Sequence, residues 1–125
     1  MFVDKFYTIR EMNAEGEKVI ANIELNPQHP IYKGHFPQQA VVPGVMTLLM
    51  VREIAEIFLQ KELQLSSSKN IKFTSPILPD VTKFLQIALT FRNNNQKGEW
   101  ITDTEVLSDT NKICLKASLI FSEIS

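Results

Sequence analysis

Seven consecutive residues, Val45 to Val51 (VMTLLMV), constrain this chain more than any other feature. Thr47 is their only polar member, so about two helical turns would be apolar all the way round. Such a segment has to be enclosed, either by protein or by lipid. Arg52, Glu53 and Glu56 follow too soon for a membrane span, which needs roughly 20 mostly apolar residues. The expected structure is therefore a helix at the centre of a soluble fold. It starts at Pro43-Gly44 and runs to about Glu62, with Ile54, Ile57 and Phe58 turned inward in its second half and Glu53, Glu56 and Lys61 more exposed.

The start of that helix lacks ordinary capping chemistry. No Ser, Thr, Asp or Asn stands just ahead of it to bond the first backbone N–H groups. Proline is tolerated at this point because it has no N–H to leave orphaned. Gly44 adds no side chain, so another group can approach the remaining amides closely. Free donors at the positive end of a helix dipole suit a carbonyl oxygen that gains negative charge.

The rest of the chain reads as strands. Residues 2–12 form a first strand with imperfect alternation, and Lys18 to Leu25 a second, with Val19, Ala21, Ile23 and Leu25 on one face. A proline-broken loop, Asn26 to Pro30, leads toward His35. Beyond the helix, Ser66-Ser67-Ser68 reads as a polar bridge, and Asn70 to Thr74 as a short strand stopped by Pro76–Asp80. Strands then follow over Val81–Phe91, Trp100–Val106 and Ile113–Phe121, joined by turns at Asn93–Gly98 and Ser108–Asn111. In the last strand Ile113, Leu115, Ala117, Leu119 and Phe121 share a face, which leaves Cys114 out of phase as an inert thiol. Two strands, one helix and four strands joined by turns argue an α+β fold: a curved antiparallel sheet wrapped round one central helix. At 125 residues the whole chain, 1–125, is expected to be one domain.

Composition narrows the function by exclusion. A net charge of −1 offers no basic face for nucleic acid. A single cysteine allows no intrachain disulfide, and MFVDKFYTIREM has an early acid and no long apolar core, so it does not read as a signal peptide. The expected location is cytoplasmic, with no membrane association. There is no GxSxG elbow and no Gly-rich phosphate loop, and His29 and His35 lie six residues apart in a proline-broken loop, so neither a metal nor a cofactor is expected.

GHFP at 34–37, followed by VVPGV at 41–45, resembles the signature of the hotdog-fold β-hydroxyacyl-acyl-carrier-protein dehydratases. NIKFTSPILPD at 70–80 is similar to their second landmark, a strand followed by a proline-bracketed turn, and HPIYKG at 29–34 fits the lead-in. The resemblance covers nearly the whole chain and implies a hotdog fold that dimerises by joining sheets edge to edge, with each site at the subunit boundary. It implies a 3-hydroxyacyl thioester dehydrated to a trans-2-enoyl product in fatty-acid or related acyl-chain synthesis. By that resemblance His35 is the base, Gly44 N–H polarises the thioester carbonyl, and the Val41 carbonyl orients the imidazole, with Val45 and Leu49 beside the substrate. Neutral imidazole suits the task, with an unperturbed pKa of roughly 6.5. The acyl group would arrive on acyl carrier protein or coenzyme A. Carrier proteins are acidic, which makes Lys69, Lys72, Lys83 and Arg92 the candidate docking cations.

The chain departs from the family where the acid should be. The position fourteen residues beyond the histidine is Leu49, which cannot deliver a proton to the departing hydroxyl. Three readings stay open: Glu53, one turn further along the same helical face, is a displaced acid; His35 returns the proton itself; or the chain binds acyl thioesters without efficient turnover. Two rival functions accompany them. One is an acyl thioesterase on the same fold, and the other a non-catalytic acyl- or carrier-binding subunit partnered with a homologue that supplies the acid.

Overall fold

The structure, a computed structural model, describes residues 2–33, 39–93 and 98–124. Six strands, β1 (Tyr7–Glu15), β2 (Lys18–Leu25), β3 (Leu63–Phe73), β4 (Phe84–Asn93), β5 (Glu99–Ser108) and β6 (Ile113–Glu123), form one antiparallel sheet ordered β1-β2-β4-β5-β6-β3. Among the described residues a single α-helix, α1 (Gly44–Leu59), lies between β2 and β3 in the chain and packs on one face of the sheet. This is the hotdog architecture. The inner face carries the alternating residues expected of it: Val19, Ala21, Ile23 and Leu25 from β2, Leu85, Ile87, Leu89 and Phe91 from β4, and Leu115, Ala117, Leu119 and Phe121 from β6, all buried. Met46, Met50, Val51, Ile54 and Ala55 of the helix complete the core.

Several expectations need correction. The first strand begins at Tyr7, because residues 2–6 coil into turns closed by Phe6 N–H on the Phe2 carbonyl (2.8 Å) and Asp4 N–H on the Tyr7 carbonyl (2.6 Å). This turn accounts for the poor alternation at that end. The helix stops at Leu59, where Gln60 takes a left-handed conformation (φ 56°). The serine run belongs to β3, whose side chains are nearly all exposed along an edge that pairs only with β6, so no hydrophobic period marks it.

A further correction concerns the last strand. Val106 pairs with Leu115 but Leu107 pairs with Ile113, leaving Cys114 as the extra residue of a bulge. The bulge rotates Cys114 inward, where it is buried, and leaves Ile113 39% exposed. It also anchors the end of β3, since Thr74 N–H donates to the Cys114 carbonyl (3.0 Å) and the Thr74 hydroxyl to the Ile113 carbonyl.

One chain does not enclose α1 completely. Val45 is 63% exposed, and Leu49, Arg52 and Glu56, which follow at helical spacing, are only partly buried. Turned inward instead is Glu53, expected on the exposed side but fully buried, while Ile57, expected inside, is exposed. The reversal has a local cause: the turn at residues 2–6 folds over the middle of the helix and covers Glu53.

Candidate acyl-thioester site

The first turn of α1 begins as its sequence suggests. Pro43 occupies the N-cap position in an extended conformation (φ −60°, ψ 143°), and no side chain caps the helix. The Pro43 carbonyl accepts from Met46 N–H (2.9 Å) and Thr47 N–H (3.2 Å). Among the described residues, Gly44 and Val45 N–H find no acceptor.

Gly44 lines a cavity of about 380 Å³, and Val45 follows it along the helix. Val41 and Val42 approach along one wall, held by Val42 N–H on the Ile77 carbonyl (2.9 Å). The Thr74–Ile77 turn and Cys114 add to the lining, and Thr47 comes from the helix itself. The bulge in β6 and the proline-bracketed turn after β3 therefore build the wall that faces the helix start. Burial pushes the Cys114 thiol above its ordinary pKa, which keeps it a poor nucleophile.

Phe73, the last residue of β3, closes the remaining side. A Cβ added to Gly44 would meet its ring at 3.0 Å (Cζ), 3.3 Å (Cε1) and 3.4 Å (Cε2). Glycine is favoured here by a close approach, not by an unusual φ: a Cβ would make the ring give way by a few tenths of an ångström. Thr47, Phe73 and Cys114 are site residues that sequence reasoning did not single out. Phe73 was visible as the head of the FTSPILP landmark, but its contact with Gly44 arises from tertiary packing.

Of the expected site residues, the structure brings Val41 and Gly44 to the cavity, with Val45 next along the helix. Leu49 lies further along the partly open stripe that begins at Val45. His35 and its neighbours from Gly34 to Gln38 lie outside the described residues.

Glu53 occupies different surroundings. Its Oε2 accepts from Phe2 N–H (2.7 Å), and its Oε1 from Val3 N–H (3.0 Å) and the Tyr7 hydroxyl (2.9 Å). Burial and the neighbouring Glu53 charge push the Tyr7 hydroxyl well above the usual tyrosine pKa. A buried carboxylate with three donors is held as an acceptor.

The candidate docking cations also separate. Lys83 pairs with Glu24 (3.4 Å), and Arg92 grips Asp103 through two bonds (2.9 and 3.1 Å). Among the described residues, no carboxylate pairs with Lys69 or Lys72 on β3. No group of three or more His, Cys, Asp or Glu side chains among them could hold a metal ion, and no helix is long and apolar enough to cross a membrane.

A curved six-stranded sheet around one helix, with an uncapped Pro-Gly helix start opening on a cavity, defines a hotdog-fold protein. The chain belongs to the ApeI-like family, described as ApeI dehydratase, which it matches over residues 11–113. It is similar to the 3-hydroxyacyl-(acyl-carrier-protein) dehydratase FabZ of Aromatoleum aromaticum, with 22% identity over 95% of this chain and 88% of that protein. Among solved structures it is similar to the dehydratase heterocomplex ApeI:P from Xenorhabdus doucetiae, with a TM-score of 0.76 at 19% identity over 93% of this chain and 97% of that one. A thioesterase of Haemophilus influenzae shares the fold, with a TM-score of 0.67 at 13% identity over 98% of this chain and 81% of that one.

Proposed function

We propose that this protein takes a 3-hydroxyacyl thioester, carried on acyl carrier protein or coenzyme A, and removes water to give the trans-2-enoyl thioester, in fatty-acid or related acyl-chain synthesis in the cytoplasm. The observation that carries this reading is the Gly44 amide, which has no acceptor among the described residues, at an uncapped helix start lining the cavity. A thioester oxygen accepting from Gly44 N–H gains stabilisation as it takes on negative charge, and removal of one such donor typically costs about 10²–10³ in rate. His35 takes the proton from C2. The electron pair forms the C2–C3 double bond, and the C3 hydroxyl leaves with a proton as water.

The leaving-group proton is the unusual step. Both Glu53 oxygens already accept hydrogen bonds and Leu49 has no proton to give, so we assign the return of the proton to His35. A second reading places the acid in another subunit. The partly open stripe of Val45 and Leu49, and the unpaired edge of β3 with Leu65 and Phe73 exposed beside it, fit a second hotdog chain joined sheet to sheet. A second copy would carry the same leucine at 49, so this reading needs a homologue with its own carboxylate, and the solved heterocomplex from Xenorhabdus doucetiae supports such an assembly. Lys69 and Lys72 on β3 remain the candidate contacts for an acidic carrier.

The test is to incubate the purified protein with a 3-hydroxyacyl carrier protein and follow the mass of the acyl group. Loss of one water, abolished in His35→Ala, supports the reading. Release of the free carrier thiol would make the protein a thioesterase instead. No mass change in the isolated chain, with dehydration restored by a co-purifying homologue, would select the second reading.

A further inference from the structure

Gly44 and Phe73 lie 29 positions apart in sequence, yet the ring tip of Phe73 occupies the space where a side chain at 44 would begin. The backbone that carries the ring is held in place: Phe73 pairs with Leu115 across the sheet, and Thr74 is tied by both its N–H and its hydroxyl to the bulge at Ile113 and Cys114. Yet 53% of Phe73 remains exposed, so core burial does not account for an aromatic residue here. Its placement does: the ring covers one side of Gly44, while the cavity lined by Val41, Thr74 and Cys114 stays open.

We propose that Phe73 is a positioning residue for the reaction at the helix start: its ring shields the Gly44 amide from water on one side and leaves the cavity as the route by which a thioester oxygen reaches it. Position 44 is glycine because the ring fills the space a Cβ needs. The inference rests on the proposed function for its chemical purpose, but not for its geometry. A donor kept out of water stabilises developing charge more strongly than a hydrated one. The shield therefore acts on the transition state more than on substrate binding.

Two measurements test this in the full-length protein. The first is independent of any reaction: the hydrogen-exchange rate of the Gly44 amide, read by NMR, rises at least about tenfold in Phe73→Ala while amides in β4 and β5 keep their protection. An unchanged Gly44 rate overturns the shield. The second uses the 3-hydroxyacyl carrier protein assay. Phe73→Ala lowers kcat by about tenfold or more with little change in KM. Gly44→Ala keeps its N–H but drives a methyl group into the ring, and it loses more. Phe73→Ala/Gly44→Ala then turns over faster than Gly44→Ala alone, because the collision is gone. A double variant as slow as, or slower than, Gly44→Ala overturns the proposed pairing. If the wild-type protein leaves the thioester unchanged, the proposed function fails, and the exchange measurement alone decides the role of Phe73.

Discussion

The first turn of α1 and its middle, little more than two turns apart, treat polar groups in opposite ways. At Gly44 and Val45 two backbone donors have no acceptor among the described residues, and Gly44 lines a cavity. At Glu53 a buried carboxylate is surrounded by donors brought from another part of the chain. A polar group whose bonding capacity is filled by the fold holds structure together; one left unfilled at a cavity is available to a ligand. By this criterion we read Glu53, the carboxylate that looks catalytic in sequence, as an anchor, and Gly44 as part of the proposed site.

The sharpest way to break the contrast is to alter Glu53. Glu53→Ala leaves Phe2 N–H, Val3 N–H and the Tyr7 hydroxyl without their acceptor, at a cost of about 3 kcal/mol or more from orphaned buried groups and lost charge-assisted bonds. Denaturant midpoints should fall accordingly, and residues 2–6 should become protease-sensitive. Glu53→Gln keeps an acceptor and should cost less, about 1–2 kcal/mol. Its dehydration rate per folded molecule should stay close to wild type. A well-folded Glu53→Gln that has lost activity by 10²-fold or more would instead make Glu53 the acid.

The complementary change restores the family's acid. Leu49→Glu should raise the dehydration rate, by up to about 10²-fold if the leaving-group proton limits turnover. Because Leu49 is only partly buried, the new carboxylate can stay hydrated and the fold should tolerate it. A rate equal to wild type would show that the acid is already supplied elsewhere, from this chain or from a partner. Glu53→Gln combined with Leu49→Glu should behave as the sum of the two if they act separately.

The contrast also shows where sequence reasoning succeeds. The strands of β2, β4 and β6 were legible because one face of each is buried and alternation records it: Val19, Ala21, Ile23 and Leu25 are the plainest case. The uncapped helix start was legible because capping is a local affair of a few residues. Glu53 was not, because the donors that bury it come from Phe2, Val3 and Tyr7, about fifty positions away. β3 lost its signal as an exposed edge strand, and Cys114 changed faces through one bulge that no periodicity marks. Phe73 belonged to a recognisable motif, yet its contact with Gly44 depends on how that bulge sets the end of β3. His35, the residue on which the sequence reading leaned most, lies outside the described residues, so its part in the chemistry remains a proposal for the variant assays.

The smallest effects concern pH, and they sharpen the comparison because each region holds one group with a raised pKa. Cys114 is raised chiefly by burial beside the cavity, and Tyr7 chiefly by burial and then by the Glu53 charge. A group that binds its proton more tightly in the folded than in the unfolded state contributes stability that is complete below its unfolded pKa and lost as pH rises above it. The Cys114 contribution should thus begin to fall near pH 9, and the Tyr7 contribution near pH 10. Melting temperatures measured from pH 7 to 11 should decline at the alkaline end. Cys114→Ala should flatten the earlier part of the decline and Tyr7→Phe the later part. Tyr7→Phe also removes one hydrogen bond to Glu53, so its curve should start lower at pH 7 yet fall less steeply above pH 10. A Tyr7→Phe curve parallel to wild type throughout would mean that the hydroxyl does not hold its proton against the carboxylate. The anchoring of Glu53 would then rest on the Phe2 and Val3 amides alone.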